Sequence, residues 1–69
     1  MSKILTTLYL VTVAYRAWQD IDVSFVNEYV SAYSQEKAEE HVIGKLMRSL
    51  YKEGKGDAYV IEAVMSIRV

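Results

Sequence analysis

The chain has no cysteine and no proline, only three glycines, and a single histidine in 69 residues. Without cysteine, neither a disulfide nor a thiolate metal site can staple the fold. Stability must come from burial alone, or from burial together with association. No run of one charge stands out, and the formal net charge of −1 gives no electrostatic footprint for nucleic acid or an anionic membrane. No linker, repeat or low-complexity run divides the chain, so residues 1–69 are expected to form one small α+β domain.

What the chain has in quantity is apolar material, 52% of its residues. One thin core can use only part of that, which leaves apolar surface for a partner. Residues 1–15 carry an early lysine and an apolar run, as a signal peptide would. Thr6, Thr7 and Thr12 interrupt it, β-branched residues dominate, and no small-residue cleavage site follows. The run is also too short to span a bilayer as a helix. It reads as a strand, and a cytoplasmic protein without membrane contact is expected.

Residues 3–18 are rich in Leu, Val, Thr, Tyr and Ile and suit an extended strand. Gln19, Asp20 and Asp22 supply a polar turn, and residues 22–33 form a second strand, paired with the first as a hairpin. Ser34 is a helix N-cap. Glu36, Glu39 and Glu40 lie toward the positive end of the helix dipole, with Lys45, Arg48 and Lys52 toward the negative end. Ala38, Val42, Leu46 and Leu50 recur every four residues, broadened by Ile43 and Met47, as the apolar stripe of an amphipathic helix. Gly54 ends it at C′, and residues 54–57 form a turn. In Tyr59–Val69 the alternation places Tyr59, Ile61, Ala63, Met65, Ile67 and Val69 on one face, expected toward the helix, and Val60, Glu62, Val64, Ser66 and Arg68 on the other. The resulting topology is β-β-α-β. It is a three-stranded antiparallel sheet in order 2-1-3, with one helix on one face and nothing in the chain to cover the other.

That open face is the candidate binding surface. Val26, Val30 and Ala32 share the parity that leads into the helix, so Phe25, Asn27, Tyr29, Ser31 and Tyr33 point away from it. In the first strand both faces are apolar: Leu8, Leu10, Thr12 and Ala14 on one, Tyr9, Val11, Val13 and Tyr15 on the other. The second set is assigned to the open side. The expected partner-binding residues are therefore Tyr9, Val11, Val13, Tyr15, Tyr29 and Tyr33. Trp18 is an anchor at the hairpin end, and Glu36 and Glu40 are an acidic rim. Homodimerisation or a higher homo-oligomer is the commonest form that such association takes. The strand with fewer charges, the third, is the better edge for β-augmentation.

Catalytic and ligand chemistry has little to stand on. His41 lies on the polar side of the helix with no nucleophile to serve, and reads as a solvated side chain. Asp20 and Asp22 could hold a divalent cation, but two carboxylates beside a turn are ordinary turn chemistry. Gly54-Lys55-Gly56 could form an anion nest, though a C-cap and turn explain both glycines. Lys3, Arg16 and Arg68 are too few to make a cationic track for single-stranded nucleic acid, so nucleic acid is not an expected partner. No enzyme activity, cofactor or metal is expected.

The run Val30-Ser31-Ala32-Tyr33-Ser34-Gln35-Glu36-Lys37-Ala38 resembles a strand-to-helix junction common in very small phage-encoded proteins. The length and element order are similar to those of phage inhibitors of bacterial RNA polymerase, anti-CRISPR proteins and other anti-defence proteins. The resemblance covers about ten residues by motif and the whole chain by topology. It carries over no contact residue. What it implies is a class: a compact viral protein that binds and occludes a host enzyme or defence complex. A second expectation, from a different class, is an oligomer that binds or sequesters a small ligand such as a nucleotide. A third alternative, against which the missing cationic track counts, is a single-stranded nucleic-acid binder.

Overall fold

The computed structural model describes residues 5–54 and 58–69. Four elements follow in order: β1 (Thr7–Ala17), β2 (Ser24–Ala32), α1 (Gln35–Lys52) and β3 (Tyr59–Arg68). The strands form one antiparallel sheet in the order β2-β1-β3, so the longest strand is central. Residues 3 and 4 of the expected first strand, and Lys55, Gly56 and Asp57 of the expected turn and anion nest, lie outside the described residues.

Both ends of the helix are set by local chemistry. Ser34 is extended, and its hydroxyl accepts from the Lys37 N–H at 3.2 Å, satisfying one of the orphan donors of the first turn. At the other end Gly54 adopts φ +73°, a left-handed conformation that any side chain would strain, and its N–H closes on the Tyr51 carbonyl at 3.0 Å.

Ala38, Val42 and Leu50 are buried on the helix side that meets the sheet, with Ile43 and Leu46 partly buried against the same cluster. From the sheet, Val11, Val13, Val30 and Ala32 complete the core, and Tyr9, Val26, Ile61 and Val64 close its margins. Val11 and Val13 are 0% exposed. Tyr9, Val11, Val13 and Tyr15 therefore face the helix, which corrects their assignment to the open side. The hairpin register explains it. Val26 pairs with Val13 and Val30 with Tyr9 across an even-length connection, residues 18–23. An even loop places the even-numbered residues of β2 opposite odd-numbered residues of β1. The helix-facing parity of Val26 and Val30 thus carries the odd residues of β1 into the core.

β3 contains a second departure. Ala14 pairs with Ala63 but Tyr15 pairs with Ile61, so Glu62 is an extra residue, a β-bulge. The bulge switches the strand's faces midway. Before it, Tyr59 and Ile61 face the helix as expected, and the Tyr59 ring stacks obliquely on Tyr15 at 5.7 Å. Beyond it, Val64, Ser66 and Arg68 take the helix side, while Ala63, Met65, Ile67 and Val69 turn to the open side. Leu46 accordingly packs against the cluster bordered by Val64 and Ile61, not on Ala63 and Met65.

Polar side chains join the helix to both edge strands. Lys45 Nζ meets Glu28 Oε1 at 2.7 Å, joining α1 to β2. On the other flank the Ser66 hydroxyl donates to the Glu39 carboxylate, and Gln35 Nε2 donates to the Ser66 carbonyl at 2.9 Å, joining α1 to β3. Glu39 is thus a half-buried tether. The helix lies along the sheet with Lys37, His41 and Lys45 toward β2 and Gln35 and Glu39 toward β3.

Candidate interaction surface

Opposite the helix, the pairing register arranges the open face in rungs that cross all three strands. Tyr29, Leu10 and Ile67 form one rung, Asn27, Thr12 and Met65 the next, and Phe25, Ala14 and Ala63 the third. Leu8 and Ser31 extend the face at one end, where the Val69 N–H donates to the Leu8 carbonyl at 2.9 Å. Phe25 is 64% and Met65 65% exposed, with Tyr29, Ile67 and Val69 similar. Such exposure is far above what these side chains show in a core.

The polar groups of the face are few, and two of them bond to each other. Thr12 Oγ1 donates to Asn27 Oδ1 at 2.7 Å in the central rung. The charges on this side sit at the hairpin end, where Arg16 forms an ion pair with Glu62 of the bulge. The same guanidinium reaches the carbonyls of Ala17, Trp18 and Asp20, the last at 3.3 Å, and so holds the connection between β1 and β2. Beside it the Trp18 N–H donates to the Ala58 carbonyl at 2.8 Å, while the indole stands in solvent. Ile21, at the tip, is 94% exposed.

Of the nine residues expected to bind a partner, the open side and its ends hold Tyr29, Tyr33 and Trp18. Tyr9, Val11, Val13 and Tyr15 are in or against the core. Glu36 and Glu40 are exposed on the helix, on the other side of the sheet from Tyr29, with Glu40 3.8 Å from Lys37. They do not rim the open face. The residues the sequence reading missed are Leu8, Leu10, Met65 and Ile67. Loop-length parity would have found the first two. The polar Glu62 inside an apolar strand was the sole sign of the bulge that exposes the others.

Along the β2 edge runs an open groove of about 490 Å³, lined by Thr6, residues 29–33, Lys37 and His41. It places two tyrosines and two basic side chains around one concavity. On the open face a shallow hollow of about 70 Å³ lies between β1 and β3, lined by Leu10, Thr12, Met65, Ser66 and Ile67. Among the described residues no three His, Asp or Glu side chains gather as metal ligands would. No helix among them is long and apolar enough to cross a membrane. No protein-family model, curated protein or solved structure matches the chain.

Proposed function

We propose that this protein is a non-catalytic binding module that occludes a site on another protein, in the manner of phage-encoded inhibitors of host enzymes or defence complexes. One observation carries the reading. The largest apolar side chains, Trp18, Ile21, Phe25, Tyr29, Tyr33, Met65 and Ile67, lie outside the core, which is built from valine, alanine and leucine. A chain that leaves five of its eight aromatic residues exposed presents the composition of an interface centre, where Trp and Tyr are enriched and charge is depleted. Trp18 and Ile21 at the hairpin tip are the anchors for a foreign protein, and Tyr33 and the acidic Glu36 lie at the far end of the molecule.

The test is capture from bacterial lysate with the wild-type protein and with Trp18→Ala. A host protein enriched by the first and lost with the second is the expected result. Recovery of no protein, together with a specific small molecule in the purified sample, overturns the reading. That outcome belongs to a second reading, favoured by the β2-edge groove: its volume falls within the range of small-ligand sites, and Tyr29, Tyr33, Lys37 and His41 suit an aromatic anion such as a nucleotide. Native mass spectrometry of freshly purified protein separates the two.

A further inference from the structure

The open face has a shape of its own, and the shape points to what covers it. Its three central rungs are uneven from one edge to the other. On the β2 edge stand Phe25, Asn27 and Tyr29; level with them on the β3 edge stand Ala63, Met65 and Ile67. Phe25 is level with two alanines, Ala14 and Ala63, so the rung is high on one flank and low on the other. Tyr29 is level with the shallow hollow bounded by Leu10 and Ile67. In the central rung the larger side chain, Met65, stands on the β3 flank opposite Asn27, so a half-turn about the line between the flanks sets Phe25 over Ala63 and Met65 over Asn27, large over small in both rungs.

We infer that a second copy of this chain covers the open face, through a two-fold axis lying along β1 between the two sheets. A half-turn about that axis sets β2 of each copy over β3 of the other without changing the level of any rung. Phe25 of each copy then stands over Ala63 of the other, Tyr29 over Ile67, and Asn27 over Met65. On the axis, Leu10, Thr12 and Ala14 meet their own counterparts. This is an isologous contact, closed at two subunits.

Charge and area agree with that occupant. The three central rungs hold no charged side chain, so two identical faces meet without like charges in contact. Arg16 and Glu62 neutralise each other at the hairpin end, so no net charge is repeated there between the two copies. Three strands about 4.8 Å apart and some nine residues long, at ~3.3 Å per residue, project to roughly 400 Å². Phe25, Tyr29 and Met65 stand off that plane and raise the accessible area toward the ~800 Å² per partner of a standard interface. The fold itself gives the reason for a constitutive partner. Its largest fully buried side chains are valines, Val11, Val13 and Val42, and a core that thin is marginal for a chain of this length. A cover needed for folding must be present in proportion to the chain, and a second copy always is.

The same axis keeps both hairpin connections at one end of the dimer. Trp18 and Ile21 of the two copies then project side by side, outside the buried face and free for a foreign protein. The dimer stands apart from the proposed inhibitory role, because mass alone decides it.

Sedimentation of the wild-type chain at micromolar concentration is expected to give the mass of two chains; one chain at every concentration overturns the inference, and is the outcome if a foreign protein is the sole cover. Met65→Glu is expected to abolish the dimer, whereas a dimer that survives it is edge-paired and overturns the face-to-face contact. Because that variant could also unfold, cysteine placement gives an independent reading in a chain that has none of its own. An equal mixture of the two single variants Asn27→Cys and Met65→Cys, a pair that cannot cross-link within one chain, treated with a short bis-maleimide, is expected to yield a covalent dimer on a denaturing gel, and neither single variant alone more than a trace. Equal yield from either single variant alone, or none from the mixture, overturns the axis along β1.

Discussion

At their centres the two faces of one sheet divide the side chains by size in an unusual direction, the larger Tyr9, Tyr15, Tyr59 and Ile61 of the helix side lying at its margins. The face under α1 holds Val11, Val13, Val30 and Ala32, small residues that let the helix approach closely. The open face holds Leu10, Phe25, Tyr29, Met65 and Ile67, which are larger and more exposed. In an antiparallel sheet with one solvated side, the usual contrast is apolar inside and polar outside. Here both sides are apolar, and the more hydrophobic bulk is on the side the chain leaves bare. In the proposed dimer such a sheet is one layer of two, the second being the same face of the other copy.

The comparison breaks hardest at Val11. Val11→Asp places a carboxylate in a site with no exposure, between Glu28, already paired with Lys45, and Ser66, whose hydroxyl is committed to Glu39. The cost of several kcal/mol is comparable with the roughly 3–5 kcal/mol that a core of this size supplies. Complete loss of the helical circular dichroism signal is expected at 25 °C. A folded Val11→Asp protein would mean that the two faces are reversed.

Leu46→Ala sharpens the same contrast from the helix side. Leu46 is only partly buried, so about 2 kcal/mol, the low end of the leucine-truncation range, is the expected loss. A lowered urea midpoint with unchanged slope would show it. Tyr29→Ala, across the sheet, is expected to leave the secondary structure in place and shift the sedimentation coefficient instead. If Tyr29→Ala unfolds the chain while Leu46→Ala only changes association, the division between core face and contact face fails.

How much of this was legible depended on which residues carried an unambiguous signal. Ser34, Gly54 and the stripe of Ala38, Val42 and Leu50 each have one physical use, and the helix stands where they place it. The parity of Val26, Val30 and Ala32 was equally plain, and Tyr29 and Phe25 are exposed as it requires. β1 was different. Both of its faces are apolar, so alternation could not choose between Tyr9, Val11, Val13 and Tyr15 on one side and Leu8, Leu10 and Thr12 on the other. The choice lay in the even length of the connection, residues 18–23, a property of the hairpin and of no single residue. In β3 the alternation was clean and still misled, because the bulge at Glu62 reverses it halfway. A bulge adds one residue to one strand without altering the residue types that follow, so periodicity passes through it unmarked.

A smaller effect is expected where the two faces meet the hairpin connection. Arg16 links the bulge residue Glu62 to the carbonyls of Ala17, Trp18 and Asp20. Arg16→Ala removes a partly exposed ion pair, worth up to about 1 kcal/mol, and frees residues 18–20. Faster amide exchange confined to those residues is the expected sign. Exchange that also rises across the Val11–Val13 core would make Arg16 part of the core's support.

The smallest expected change is a gain. Gly44 sits in the interior of α1, where it lacks the helix preference of alanine and leaves more backbone freedom to the unfolded chain. A Cβ built there meets only the end of the flexible Arg48 side chain, at 3.4 Å. Arg48 is exposed and can yield, so nothing offsets the gain. Gly44→Ala should therefore stabilise the fold by roughly 0.5–1 kcal/mol. For a domain of this size that amounts to a rise of several degrees in Tm. The substitution lies in the helix layer, away from the open face, so the mass in sedimentation should not change. If Gly44→Ala raised stability only at concentrations where the protein self-associates, the helix would belong to the interface, and the bare sheet face would no longer be the surface that needs a cover.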